Sequence, residues 1–327
     1  MSVYNGGKYL KEAIDSILNQ TFKDFEFLIV NDASTDSTSA ILSQYTDFRI
    51  KIIENETNKG LTYSLNLMLA QSRGDYIARM DADDIALPNR LEIQHQFMEM
   101  HPEIGICGSF VESFIQGTKK RQIVRFPKTD IEIRAFAFFQ SPFCHPSTMF
   151  RKKIKDKYHL QYSPLYIKSE DYALWVELLK YTQGATIPQV LLKYRRHEQC
   201  FSRWENEKAN GKIEMITAIQ KNYLACYHIH LDDSNLSVYT QFVDRSLPFE
   251  LNIRNQKAVA HVIRDFLSQL SLNQKCLEKK AVYNLSMICF FKFWVKKRYP
   301  LPFLLQKLFL KGTFIYMKRM AGIKDFN

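Results

Sequence analysis

The stretch Phe25-Glu26-Phe27-Leu28-Ile29-Val30 is apolar at nearly every position and stops at Asn31-Asp32. A strand apolar on both faces has to be covered on both faces, which is the habit of parallel sheets. It follows a helical pattern in which Leu10, Ala13, Ile14, Ile17 and Leu18 share one face at the 3.6-residue period. The alternation goes on. A helix near 36–45 leads to a strand Ile50-Lys51-Ile52-Ile53, a helix near 61–71 leads to Tyr76-Ile77-Ala78, and a helix from Pro88 to about 100 leads to a strand Ile104 to Phe110. Alternating strand and helix predicts an α/β fold, a mostly parallel sheet flanked by helices with right-handed crossovers. In open sheets of this kind ligands bind beyond the carboxyl ends of the strands. Asn5, Asp32 and Asp81 all fall at such ends.

Asp81, Asp83 and Asp84 crowd three carboxylates into four positions. Their repulsion is tolerable where a cation or solvent offsets it. At a strand end Asp81 and Asp83 point the same way, because side chains alternate with period two. Such a pair holds a divalent metal while substrate phosphates complete its shell, as Mg²⁺ prefers. The other reading is an acidic turn that caps the helix beginning near Pro88. Asp32 also has two readings, an Asx turn and helix cap or an acceptor for the edge of a nucleotide base. Asn58-Lys59-Gly60-Leu61 is a good turn and helix start in its own right. The chain contains neither the glycine-rich dinucleotide fingerprint nor the P-loop pattern, so phosphate binding here calls for a metal.

Later in the chain, Ser169 is placed to cap a helix through Tyr172-Ala173-Leu174-Trp175, with Glu170 and Asp171 in its first turn, where the dipole favours anions. A strand from Thr186 to Tyr194 leads to Arg195-Arg196-His197, and from about 204 the composition turns helical. This divides the chain into a domain over 1–205 and a helical, basic region over 206–327. With a net charge of +11, nucleic acid, anionic lipid and phosphorylated small molecules all stay open as partners. Six scattered cysteines without a Cys-x-x-Cys pair point to a reducing compartment and away from structural zinc. No signal peptide and no run of 18 apolar residues is present, which predicts a cytoplasmic protein. Over 290–320, Lys292, Lys296, Lys297, Arg298, Lys307, Lys311, Lys318 and Arg319 alternate with aromatic and leucine residues, without an acid. That pattern suits a helix lying in an anionic membrane interface, or an amphipathic helix packed on the domain.

Val3-Tyr4-Asn5-Gly6, Ile29-Val30-Asn31-Asp32-Ala33-Ser34-Thr35-Asp36, Asn58-Lys59-Gly60-Leu61, Gly74 to Asp84 and Ser169-Glu170-Asp171-Tyr172-Ala173-Leu174-Trp175 occur in this order over residues 1–205. Together they resemble glycosyltransferase family 2. The resemblance implies the GT-A (Rossmann-like) fold and an inverting transfer of sugar from a nucleotide-diphosphate donor, a UDP-sugar, to a glycan or lipid-linked acceptor in bacterial surface polysaccharide synthesis. It places Val3, Tyr4, Asn5 and Asp32 on the nucleoside, with Asp32 facing the base. Asn58, Gly60, Arg79, Asp81 and Ala82 fall on the nucleotide-sugar site, Asp81 being the first carboxylate of the Asp-x-Asp motif. Asp83 matches the direct ligand of Mn²⁺ or Mg²⁺, with His197 as a metal-proximal group. Asp171 matches the catalytic base, Glu170 stands beside it, and His145 carries an acceptor-site or a packing role. Peripheral attachment at the inner face of the membrane follows from the lipid-linked acceptor and the basic 290–320 stretch.

One departure stands out. Relatives carry a full apolar strand before the Tyr-Asn motif, whereas Met1-Ser2 leaves it nearly absent here, which raises the expectation of a start further upstream. Two rival readings are a nucleotide-sugar scaffold without turnover and a basic nucleic-acid-binding protein. The acidic cluster and the lack of a nucleic-acid motif count against the second.

Overall fold

The computed structural model describes residues 1–197, 209–243 and isolated positions from 258 to 269. The basic 290–320 stretch lies outside the described residues. The chain forms two compact units, one of Met1–Ile133 with Ser141–Trp204 and one of Arg134–Gln140 with the described part of Glu205–Asn327.

In the first unit the expected alternation is realised as β1 (Ser2–Val3), α1 (Leu10–Leu18), β2 (Phe27–Asn31), α2 (Thr38–Leu42), β3 (Ile50–Glu54), α3 (Leu61–Gln71) and β4 (Tyr76–Ala78). β5 (Ile85–Ala86), α4 (Arg90–Met100), β6 (Ile104–Ile115) and β7 (Arg121–Val124) follow. After α5 (Asp130–Phe136) come β8 (Met149–Arg151), α6 (Lys152–Lys157), α7 (Glu170–Leu178) and β9 (Gln183–Arg196). Every residue of β2 is buried, as its uninterrupted apolar run requires. The predicted face of α1 is the one that sinks into the core, with Leu10, Ala13, Ile14 and Ile17 packed against Phe27, Ile29, Met80 and Leu192.

β1, β2 and β3 form a three-stranded sheet, parallel throughout. The second sheet runs β4-β8-β6-β9-β5 with β7 added on β6. Among its described residues only β6 and β9 pair in parallel, with three register shifts, and the β4–β8, β6–β8, β6–β7 and β5–β9 pairs are antiparallel. Apolar runs report burial and say nothing of direction; the first sheet is parallel throughout, while the second combines the long parallel β6–β9 ladder with antiparallel pairs on either side. The short β1 reaches only Val30 and Asn31 of β2. Phe27 and Leu28, further back along β2, instead line a cleft of about 960 Å³ whose other walls include Leu65 and Met68 of α3 and Tyr76–Ala78 of β4.

The acidic turn does not cap α4. β5 intervenes, and the residue before the helix is Asn89, whose side chain makes no capping bond. Ser169 does occupy the N-cap position of α7, again without a side-chain bond.

The second unit is helical where described, with α8 (Ala209–Ala225) and α9 (Asp233–Val243). Residues 134–140 belong to its core, which a boundary at 205 does not anticipate. The Phe138 ring meets Tyr223 at 5.1 Å, and the Phe138 carbonyl accepts a 2.7 Å bond from the Tyr239 hydroxyl.

Trp175 is fully buried in α7, edge-on to Phe143, Phe150, His145 and Tyr162. Trp175→Ala opens a large cavity under the helix and is expected to cost about 3–5 kcal/mol of stability in urea unfolding of the whole chain.

Candidate active site

β4 ends at Ala78, and the chain then runs through Arg79, Met80, Asp81, Ala82, Asp83 and Asp84 into β5. Carboxylate oxygens of the three aspartates lie within 4.8 Å of one another. Asp81 is 30% and Asp83 33% exposed at the side chain, whereas Asp84 is 1% exposed. Burial, then the neighbouring Asp81 charge, raise Asp83, and the same causes with Asp83 added push Asp84 well above the ordinary carboxylate range. Asp84 Oδ2 is buried with no hydrogen-bond partner. An orphaned carboxyl oxygen beside two outward carboxylates is the donor set of a hard divalent cation, so the residues present fit Mn²⁺ or Mg²⁺.

Basic side chains close in from three elements. Arg79, buried, pairs with Asp81 at 2.5 Å. His197 Nε2 lies 2.9 Å from Asp83 Oδ2, so the histidine and the Asp-x-Asp motif meet across 114 residues. Arg195, at the end of β9, donates from Nε to the Asp83 carbonyl at 2.6 Å and from its main-chain N–H to Asp84 Oδ1 at 2.8 Å. Sequence reasoning missed Arg195, although it stands two residues before His197 and strand periodicity puts both on one face. Arg90 is fully buried beneath the turn, where its guanidinium holds the Arg79 carbonyl at 2.6 Å.

The N-terminal motif lies against the same turn. A side chain at Gly6 would run into Val3, with Ala82 next to it. Asn5 sits at φ +52°, and its Oδ1 accepts from the Thr35 N–H at 2.8 Å while Gly7 N–H donates to Asp36 Oδ2. Tyr4 is exposed. Asp32 is buried and caps no helix after β2. Oδ1 accepts from Asn55 Nδ2 at 2.7 Å and Lys59 N–H at 2.8 Å, and Oδ2 accepts from Gly60 N–H at 2.8 Å. Its carboxylate ties the loop before α3, including Asn58, whose Oδ1 also accepts from Gly60 N–H, to the end of β2.

Glu170 and Asp171 open α7. Burial first, then the Asp171 charge, raise Glu170 to about 7. Burial likewise raises Asp171 to about 6, against hydrogen bonds from Tyr172 N–H and from Ser141 Oγ at 3.4 Å. The charges of Arg79 and Asp81 reach both carboxyls, in opposite senses. Between the two acidic groups stands His145. Arg79 Nε donates to its Nε2 at 3.2 Å, and the Tyr162 hydroxyl lies 2.9 Å from the same atom. A guanidinium has no lone pair to give, so Nε2 is the bare nitrogen, and burial and Arg79 hold the ring well below 6.5. Tyr162 was not singled out by the sequence; reciprocal bonds to Asn66 of α3 fix it. The 960 Å³ cleft reaches Arg79 and Tyr162, but none of Asp81, Asp83 and Asp84 lines it.

The family model described as Glycosyl transferase family 2 matches residues 1–159. Putative glycosyltransferase EpsE of Bacillus subtilis is 35% identical over 62% of this chain and 74% of its own. The UDP-Gal:alpha-D-GlcNAc-diphosphoundecaprenol beta-1,3-galactosyltransferase of Escherichia coli is 31% identical over 73% of this chain and 86% of its own. Among solved structures, S. aureus TarS 1-349 in complex with UDP-GlcNAc aligns with a TM-score of 0.61 at 17% identity, covering 91% of this chain and 90% of that one. That likeness speaks to the fold, the α/β GT-A architecture.

A carboxyl raised in the native state binds more protons folded than unfolded, so the chain loses stability as pH rises through the interval. For Glu170 the interval runs from 4.5 to about 7. Glu170→Gln removes that loss. It is expected to stabilise the protein at pH 8 by about 3 kcal/mol, with the gain fading toward pH 4.5, as read from thermal unfolding across pH.

Proposed function

The chain belongs to glycosyl transferase family 2, and from that membership we propose that it transfers a sugar from a UDP-sugar to a hydroxyl of a lipid-linked glycan acceptor, with inversion at the anomeric carbon. The observation that carries the reading is the juxtaposition of a raised carboxyl pair with the Arg79–Asp81 ion pair and the acidic turn. The family relative from Escherichia coli, whose name gives a UDP-sugar and a diphosphoundecaprenol acceptor, supports the donor and acceptor classes.

In this reading Asp171 takes the proton of the acceptor hydroxyl as that oxygen attacks opposite the departing diphosphate. A base near 6 is better matched to the task than an ordinary aspartate. Glu170, the more basic of the two, takes up a proton first and leaves Asp171 ionised, the two titrating as a pair. Val3, Tyr4, Asn5 and Asp32 with the loop around Asn58 and Gly60 form the nucleoside end, and Arg79, Asp81 and Ala82 stand at the sugar-diphosphate. Mn²⁺ or Mg²⁺ held by Asp81, Asp83 and Asp84, with His197 beside Asp83, would offset the charge leaving on the nucleoside diphosphate. The basic 290–320 stretch would hold the protein at an anionic membrane surface, each cation adding about 1 kcal/mol.

Three outcomes follow from this reading. Asp171→Asn is expected to lower kcat by about 10²–10⁴-fold with little change in donor KM, and near-normal transfer would dismiss the base. Wild-type kcat/KM should fall as pH drops through about 6, the region where Asp171 protonates. Full-length protein should float with liposomes containing anionic lipid and be released by high salt; equal flotation with neutral vesicles removes the electrostatic attachment.

A further inference from the structure

Arg195 is 3% exposed and reaches the acidic turn, the start of α1 and the end of β6 at once. It bonds to the Asp83 carbonyl and its own N–H bonds to Asp84 Oδ1. Its two terminal nitrogens go to Glu12 of α1 and to Gln116 after β6. The guanidinium lies between the rings of Tyr9 and Phe114, 4.5 and 4.8 Å from their centroids. Tyr9 also packs on His197 at 4.8 Å. A positive charge this close to a cation site should work against it, yet Glu12 pairs with Arg195. What remains at the turn is direction: the guanidinium draws the Asp83 carbonyl inward, and the Asp83 carboxylate is left facing out, toward His197 and Asp81.

We propose that Arg195 is the positioning residue of the cation-binding face, a clamp whose guanidinium fixes the main chain of Asp83, next to the Asp84 carboxylate that its own N–H holds, so that the carboxylates converge before any metal arrives. The inference rests on the cation reading above and adds a residue to it. A planar guanidinium fork holds acceptors in fixed, divergent directions, and a lysine ammonium, with its three donors on a single atom, cannot span them. Arg195→Lys therefore keeps the charge and removes the geometry.

The test uses the full-length chain, Arg195→Lys and Glu12→Gln. Amide hydrogen exchange over 81–86 is measured without metal, Mn²⁺ affinity by electron paramagnetic resonance, and the Mn²⁺ activation constant is separated from kcat at saturating metal. Arg195→Lys is expected to exchange faster over 81–86 and to bind Mn²⁺ about tenfold more weakly, with kcat recovering at saturating Mn²⁺. Unchanged exchange over that segment, or faster exchange with wild-type Mn²⁺ affinity, overturns the proposal. If Arg195→Lys fails to fold, Glu12→Gln decides. Glu12 is more than half exposed at its side chain, and the variant should show the same exchange signature with Mn²⁺ binding about threefold weaker; no change in either measurement is equally fatal. Should wild-type protein bind no Mn²⁺, the cation reading falls while the exchange data still judge the clamp.

Discussion

Repulsion within one turn is the constraint around which the first unit is arranged. Asp81, Asp83 and Asp84 stand within 4.8 Å of one another, and nothing in the turn itself relieves the crowding. Relief comes from elsewhere. Arg79 meets Asp81 from the end of β4, His197 meets Asp83 from just past β9, and Arg195 bonds the main chain of the turn. Below them Arg90, fully buried, is held near 10 by burial and spans the carbonyls of Arg79 and Thr148. A buried cation is expensive to desolvate. Its hydrogen bonds to main-chain carbonyls at the strand ends make that burial tolerable, and they fix the floor on which the acidic residues stand.

Around this centre, short polar side chains work between loops as much as within them. Asn5 bonds to Thr35, Asp36 to Gly7, and Asp32 to the loop before α3. Residues of these types are favoured in turns because they bond to nearby main chain. In this protein the nearby main chain belongs to the neighbouring strand's loop, so the carboxyl ends of β1, β2 and β3 are fastened into one rim.

Much of this was legible in the sequence. Periodicity and apolar runs located α1, β2, β3, α3 and α4 because each turns apolar residues toward its neighbours, β2 at every position and β3 with Ile50 and Ile52 half-buried, and the ordered motifs pointed to the GT-A fold. The positions named for the site do gather: Val3 and Ala82 share the surroundings of Gly6, Arg79 pairs with Asp81, and Asp83 with His197. What the sequence did not give away has a common cause, which is that pairing partners far apart leave no local trace. β4 is three residues long, and no pattern within it announces an antiparallel partner at Met149–Arg151. Arg195 and Glu12 are 183 positions apart. Residues 134–140 look like any mixed segment until Tyr223 and Tyr239 are seen against Phe138 and its neighbours. Asp32 carries the same Asx signal whether it bonds forward to its own turn or across to Gly60.

The long parallel pairing of β6 with β9 joins residues 104–115 to 183–196, which gives this unit a high contact order. A chain made from its N-terminus presents the acidic turn early, while Arg195 and His197 are still unsynthesised. Until β9 docks, the turn has Arg79 beside Asp81 but lacks the Arg195 and His197 contacts at Asp83. The acidic turn therefore completes its folded contacts only after residues 183–197 have been made.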